Sequence, residues 1–279
     1  MTGREYLKKS LEAVAASSVK TDIEVLVVDN NSADGTVEMV QSEFPQVRLI
    51  ANKHNFGFAR ANNQAIRQIN GSSEFILLLN PDMIVLPNTL SDMLAWMRVS
   101  TQAAVAGCHL VSEHGATVKH VRRFPRLLDQ LAIVLKLPHL FPNVLKDYLR
   151  DDFDYDQPAK VDSVRGGFFM MPRSTIEQVG LLDERYFIWF EEVDYCRQVY
   201  QKGLEVWYTP VTDCIDFVGQ SFKQVKRGTT QKYFQDSMLK YFKKWHPLWQ
   251  YLILRAAWPI GRLAVACGSL LGVKNKANT

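Results

Sequence analysis

The 279-residue chain has little of what marks several protein classes. Its four cysteines, Cys108, Cys196, Cys214 and Cys267, lie far apart with no C-x-x-C pair. That excludes a zinc ribbon or a dense disulfide framework and leaves small buried thiols suited to a reducing compartment. The opening "MTGREYLKKSLEAVAAS" carries charges where a secretory segment needs an unbroken apolar run, so a cytoplasmic location is expected. A formal charge of +4 is small for this length and does not supply the basic patch that nucleic-acid binding requires, so no nucleic-acid partner is expected. No G-x-G-x-x-G follows a strand pattern, which argues against a nicotinamide dehydrogenase, and no Gly-rich loop follows the first strand, which argues against a sugar nucleotidyltransferase. Nothing repeats at a fixed period.

What is present is an alternation. Leu7, Leu11 and Val14 recur at helical spacing, and "IEVLVVD" then reads as a strand buried on both faces. The turn "NSADGT" leads into a helix, "VRLIAN" is a strand, "FARANNQAIRQI" a helix and "EFILLLN" another buried strand. A helix over about 88–98 and the strand "AAVAGCHL" follow. This order predicts one α/β domain with a mostly parallel sheet flanked by helices. From about Phe124 to Lys160 the periodicity fades and prolines gather at 125, 138, 142 and 158, which reads as a partly helical insertion. "VDSVRGGFFMMPR", a helix ending at Gly180, and "LLDERYFIWFEEVDYC" resume regular structure.

In such sheets ligands bind beyond the carboxyl ends of the strands. Three successive strand ends carry oxygen-bearing side chains: Asp29, then Asn52 and Asn55, then Asn80 and Asp82 in "ILLLNPDM". An acid at the mouth of a buried strand is costly unless a positive partner meets it, and a divalent cation shared with a diphosphate is such a partner. An N-P-D sequence is equally a good turn.

A second acidic group, Asp183, Glu184, Glu191, Glu192 and Asp194, surrounds Tyr186, Phe187 and Trp189. Crowded carboxylates beside apolar rings have raised pKa values, and a raised carboxylate can act as a general base. If a helix begins near Glu191, then Glu191 and Asp194 share a face and Glu192 points about 100° away. A preference of acids for a helix N-terminus accounts for two of them, but not for the aromatic run.

The pieces "VVDNNSADGT", "NFGFARANNQAI", "LLLNPDMIVLPNTL", "RGGFFMMPRS", "VGLLDERYFIWFEEVDYC" and "GLEVWYTP", in that order, resemble the family 2 glycosyltransferases of GT-A fold, rhamnosyltransferase-like bacterial members in particular. The resemblance implies a catalytic domain over 1–228 and a C-terminal tail over 229–279. It implies a nucleotide-sugar donor held by Asp29, Asn55, Gly57, Asn62, Asn80, Asp82 and Gly167. Asp82 would hold Mg²⁺ or Mn²⁺, with Asp216 of "CIDFVGQS" standing where relatives often have a histidine that approaches the metal. Glu191 or Glu192 would deprotonate the acceptor hydroxyl, with Asp183 and Asp194 as supporting acids, and transfer would invert the anomeric centre. The acceptor would be a cell-surface glycan or a lipid-linked sugar.

Three departures stand out. Relatives usually have E-D where this chain has Glu191-Glu192, and Asp216 replaces the histidine. Relatives also begin with a central buried strand, whereas this chain starts at Met1 just where that strand's turn should finish, so a truncated start is expected. The alternative to an active enzyme is a decayed nucleotide-sugar-binding or scaffold protein. His109, His114 and His120 suit no common metal pattern and read as a polar loop; Arg122, Arg123 and Arg126 read as a solvated basic loop or an anion contact.

The tail "YFKKWHPLWQYLILRAAWPIGRLAVACGSLLGV" combines tryptophans with lysines and arginines, and its apolar run is interrupted by Arg255, Pro259 and Arg262. That pattern suits a helix lying on a membrane surface more than one crossing it, and predicts a peripheral protein on the inner face of the plasma membrane. A helical arm packed on the domain, or on a second subunit of a homodimer, is the other reading.

Overall fold

The structure is a computed structural model that describes residues 2–217 and 227–270. It opens with α1 (Gly3–Ala15), started by a reciprocal cap in which the Thr2 hydroxyl accepts the Glu5 N–H and the Glu5 carboxylate accepts the Thr2 N–H at 2.8 Å. Then follow β1 (Leu26–Asp29), α2 (Thr36–Glu43), β2 (Arg48–Ala51), α3 (Phe58–Ile66), β3 (Phe75–Leu79), β4 (Met83–Val85), α4 (Thr89–Val99) and β5 (Ala103–Val111). The proline-rich insertion holds α5 (Leu127–Val134), two 3₁₀ turns (Leu137–His139 and Pro142–Leu145) and α6 (Lys146–Leu149). The remainder is β6 (Ala159–Lys160), β7 (Phe168–Pro172), α7 (Arg173–Val179), α8 (Glu191–Gln201), β8 (Glu205–Asp216), α9 (Arg227–Trp245) and α10 (Leu248–Leu270).

The strands form two sheets. β1 and β2 pair in parallel, and a second sheet has the order β3-β7-β5-β8-β4 with β6 also on β8. Within the second sheet only β5 and β8 run parallel; β3/β7, β5/β7, β4/β8 and β6/β8 are antiparallel. The pairing is therefore mixed where the sequence pattern predicted mostly parallel strands. That pattern holds where a helix crosses between strands, whereas β4 and β7 are entered through short loops.

β7 is buried on both faces, and its alternation divides the core. Phe169 and Met171 join Tyr195, Val206 and Tyr208 on one side, while Phe168 and Met170 join Met83, Met93 and Leu110 on the other. Among the described residues, β1 and β3 each keep one edge without a strand partner. Glu24, just ahead of β1, accepts the Asn70 N–H just ahead of β3 at 2.7 Å, so both strands start from one border. α1 packs across this division: Leu7 and Leu11 lie against Met39 and Val40 of α2, Ala13 and Val14 against the apolar cluster of β4 and α4.

The C-terminal helices pack on the rest of the fold. Met238, Tyr241 and Phe242 of α9 and Leu254 and Trp258 of α10 close a cluster with Val134 of α5 and with Tyr186 and Phe190. Among the described residues no helix is long and apolar enough to cross a membrane. The side chains of Arg262 and Cys267 lie outside the described residues; Cys108, Cys196 and Cys214 are buried free thiols.

Candidate active site

The end of β1 opens a chain of amide contacts. Asp29 is buried and its Oδ2 accepts the Ser32 N–H at 2.9 Å, turning the strand out into the loop. Asn30 accepts from Asn52 at 3.0 Å and donates to the Gly57 carbonyl at 3.2 Å, and Asn52 exchanges hydrogen bonds with Gln64. The Asn55 side chain accepts the Gly57 N–H at 2.9 Å. Gly57 itself has φ 85°, and a Cβ there would stand 2.3 Å from the Phe187 carbonyl oxygen, so only glycine lets this loop touch the aromatic segment. Asn62, implied by the resemblance as a donor contact, donates to the Phe58 carbonyl inside α3; it is the neighbouring Asn63, fully buried, that ties the helix to Leu182 and Glu184.

At the end of β3, Asn80 donates its N–H to the Gly167 carbonyl at 2.8 Å, and a Cβ on Gly167 would meet Met83 at 2.3 Å. Asp82 and Asp216 are both buried and come together because Met83 pairs with Asp216 and the Phe217 N–H donates to the Asp82 carbonyl at 3.1 Å. The Asp216 carboxylate accepts from Arg165 at 2.5 Å through one oxygen, and its buried Oδ1 has no partner among the described residues. Burial raises the Asp216 pKa to about 6, with the charge of Asp82 adding and Arg165 opposing.

The acids of α8 follow two residues in the left-handed region, Trp189 (φ 63°) and Phe190 (φ 67°). Such a conformation costs roughly 1–2 kcal/mol per non-glycine residue, and it sets the angle at which the helix enters. Glu191 is buried, and burial, then the charges of Glu192 and Asp194, push its carboxyl well above the ordinary range. Glu192 is also raised by burial, against the pull of Arg165 and Arg122. It lies against the backbone of Gly166, whose missing Cβ would come within 3.3 Å of the Glu192 Cβ. As the 100° rule predicts, Glu191 and Asp194 turn inward while Glu192 turns toward the strand ends.

Asp194 is placed apart from the two glutamates. Grouped with the catalytic acids from the sequence, it is fully enclosed and receives Tyr186 Oη at 3.2 Å, Gln198 at 2.8 Å, Lys244 at 2.7 Å and Trp245 Nε1 at 2.6 Å. Its oxygens are committed to holding α8 against α9. Asp183 serves the same junction: burial alone would raise it, but Arg185 and Lys244 hold it well below the usual carboxylate range.

The family description "Glycosyl transferase family 2" matches residues 3–179. The chain belongs to that family. It is 25% identical over 219 residues to the N-acetylglucosaminyl-diphospho-decaprenol L-rhamnosyltransferase of Mycobacterium tuberculosis, covering 75% of this chain and 71% of the relative. It is 23% identical over 219 residues to Rhamnosyltransferase WbbL of Escherichia coli, covering 76% and 79%. In structure it resembles the mannosyltransferase PcManGT from Pyrobaculum calidifontis, solved in complex with GDP-Man and Mn²⁺, with a TM-score of 0.56, 18% identity, and coverage of 99% of this chain and 73% of that one. The fold of this family 2 glycosyltransferase is thus GT-A, and its sequence likeness is rhamnosyltransferase-like.

Within that family frame, Arg165 is a residue of this rim that the sequence reading did not single out. It sits between Asp216 and Glu192, and the available signal was a cation placed directly before a Gly-Gly pair. Arg123 and Arg126 instead pair with Asp147. The histidines divide. His114 is exposed as a loop residue should be, and His109 bonds Asp213 at 2.7 Å. His120 is not in a polar loop: it is buried between Tyr155 and Tyr208, and desolvation lowers its pKa to about 3. Among the described residues no three His, Cys, Asp or Glu side chains cluster as a metal cage. Two adjoining buried carboxylates, one with an oxygen to spare, do fit a hard cation that takes its other ligands from a diphosphate.

Proposed function

We propose that the protein transfers a sugar, rhamnose from dTDP-rhamnose or a hexose from a UDP-sugar, to a hydroxyl of a cell-surface glycan or lipid-linked acceptor, with inversion. The work would take place at the cytoplasmic side of the plasma membrane. The observation that carries this reading is the position of Glu192. A desolvated carboxylate stands against Gly166, and the neighbouring Arg165 reaches from it to Asp216, so an acid able to take a proton and acids able to face a diphosphate share one rim.

Glu192 takes the acceptor proton. Its raised pKa makes it a better base than a solvated glutamate, and it holds the hydroxyl oriented for attack from the face opposite the leaving group. Burial alone lifts Glu192, and its charge in turn pushes the inward-turned Glu191 further up. The loop held by Asp29, Asn30, Asn55 and Gly57 receives the nucleoside, and the ends of β3 and β8 receive the diphosphate. Mg²⁺ or Mn²⁺, held by Asp82 and Asp216, would neutralise the charge of the leaving diphosphate. Arg165, already paired with Asp216, adds a fixed positive charge to the same place. The likeness to two rhamnosyltransferases supports the donor class.

The test is a thermal-shift screen of dTDP-rhamnose, UDP-hexoses and GDP-mannose with and without Mn²⁺, followed by donor hydrolysis with the sugar that binds. Turnover that disappears in Glu192→Gln while binding persists supports the reading. Intact nucleotide binding with undetectable turnover in the wild-type chain would replace it with a scaffold.

A further inference from the structure

α10 is apolar on both sides. Its inner face, Leu254, Ala257 and Trp258, is buried against α5 and α9. Gly261 fixes the helix's rotation: a Cβ there would stand 2.2 Å from the Val134 carbonyl oxygen, so the α10 and α5 backbones touch and no larger residue fits. The opposite face carries Leu248, Trp249, Leu252, Ile253 and Ile260, exposed by between 40% and 63%. With Arg255, Ala256 and Pro259, also exposed, they fill a continuous arc of about 160° at 100° per residue. A helix covering a soluble domain normally turns a polar face outward, and a contiguous exposed apolar stripe marks an interaction surface.

We propose that this outer face of α10 is a docking surface for an anionic phospholipid bilayer, with the helix lying in the headgroup layer. This deepens the lipid-linked part of the reading above. Charge selects the occupant. No acid follows Asp236 in the sequence, while Lys243 at the end of α9 and Arg255 on α10 are exposed, so this end of the chain brings cations and no anion to whatever covers the helix. Arg255, at one edge of the arc, can extend along the surface and keep its guanidinium among phosphates. Trp249 sits beside the turn at Pro247, where an indole suits the boundary between acyl chains and headgroups. A second copy of the chain fits less well: a two-fold interface through this arc would bring two cationic helices together with no acid on either to pair them.

Docking there would bear on the chemistry. Trp258 on the inner face meets Phe234, Phe234 meets Phe190, and Phe190 directly precedes Glu191. The helix that presents the base therefore stands a short relay of rings from the bilayer, as an acceptor held by a lipid requires.

The experiment is flotation of the full chain with phosphatidylglycerol–phosphatidylcholine vesicles and with pure phosphatidylcholine vesicles. The wild-type chain is expected to float with the anionic vesicles and at least ~10-fold less with the neutral ones. The triple variant Trp249→Ser, Leu252→Ser, Ile253→Ser should lose at least ~10-fold of the anionic binding with unchanged thermal unfolding. Should the triple variant unfold, Arg255→Glu alone must weaken the anionic binding and spare the neutral. Wild-type protein that floats with neither vesicle, variants that float like wild type, or a wild-type dimer that the triple variant converts to monomer overturns the proposal. Thermal shift with nucleotide on the same samples reads the donor site separately: lost flotation beside intact nucleotide binding removes the docking face alone, and the converse removes the donor reading alone.

Discussion

Arg165 donates to Asp216 across the end of β8, joining a guanidinium one-third exposed to a carboxylate that is almost wholly buried. The pair is asymmetric. Arg165 can turn to solvent, but Asp216 cannot, and Asp82 adds a second negative charge beside it. Removing the cation leaves two buried acids facing each other.

Arg165→Gln should therefore cost roughly 3 kcal/mol of stability in the presence of a chelator, the low end for breaking a buried pair because the arginine is partly solvated. Adding Mn²⁺ should recover part of the loss in Arg165→Gln and none in the double variant Arg165→Gln, Asp216→Ala. Urea unfolding of the three proteins with EDTA and with Mn²⁺ measures this. Equal midpoints for Arg165→Gln with and without Mn²⁺ would separate the two acids from any cation.

Glu192→Gln should lower sugar transfer by about 10²–10⁴-fold, the range for loss of a general base, while nucleotide binding stays intact. In the wild-type chain, transfer should fall as pH drops through the raised pKa of Glu192. Stability moves the opposite way for the neighbouring acid. A carboxyl whose folded pKa is raised contributes stability below its unfolded pKa and loses it as pH rises through the folded value. Glu191→Gln should thus stabilise the protein at pH 8 relative to wild type and give no gain at pH 4. Paired melts at the two pH values test it, and a gain at the acidic value alone would reverse the sign argued here.

How far the sequence foretold this site depends on which interactions are local. β3 followed by Asn80-Pro81-Asp82 was legible because a buried run ending on an acid is a pattern within one segment. The divergence of Glu192 from Glu191 and Asp194 was legible for the same reason, since helical geometry alone separates them. Arg165 was not: its meaning comes from Asp216, fifty-one residues away, and from the register that sets β8 beside β4. The setting of Asp194 was not legible, because an acid in an acidic motif looks alike whether it faces substrate or four donors, and two of those donors come from α9. His120 misled because a polar stretch in sequence ran under two tyrosines in space.

His120 makes a prediction about acid. Its pKa near 3 in the folded protein lies below the ordinary value of 6.5 because burial disfavours the charged ring. A depressed histidine contributes its full stability above pH 6.5 and loses it as pH falls toward 3, since the unfolded chain takes up the proton first. At pH 5 the loss is about 2 kcal/mol, from 1.36 kcal/mol per unit over the interval already crossed. His120→Phe, which keeps a ring between Tyr155 and Tyr208, should flatten the fall in stability between pH 7 and pH 5. Parallel urea curves for the two proteins decide the matter, and equal slopes against pH would show that the acid sensitivity resides elsewhere.

Asp194 separates anchoring from chemistry. Because Lys244, Trp245, Gln198 and Tyr186 all converge on its carboxylate, Asp194→Asn removes one of the two charges that the part-buried Lys244 pairs with and offers an amide where acceptors are needed. The expected cost is about 3–5 kcal/mol, as for other broken buried pairs. Transfer should fall with it, but through a different quantity. In Asp194→Asn the α8–α9 junction loosens, so amide exchange should rise across Met238–Trp245 and activity should recover with stabilising osmolyte or lower temperature. Glu192→Gln, by contrast, should leave exchange across Met238–Trp245 unchanged, melt no lower than wild type, and stay inactive under those conditions. If Asp194→Asn melted like wild type and lost activity irreversibly, its carboxylate would belong to the reaction and not to the junction.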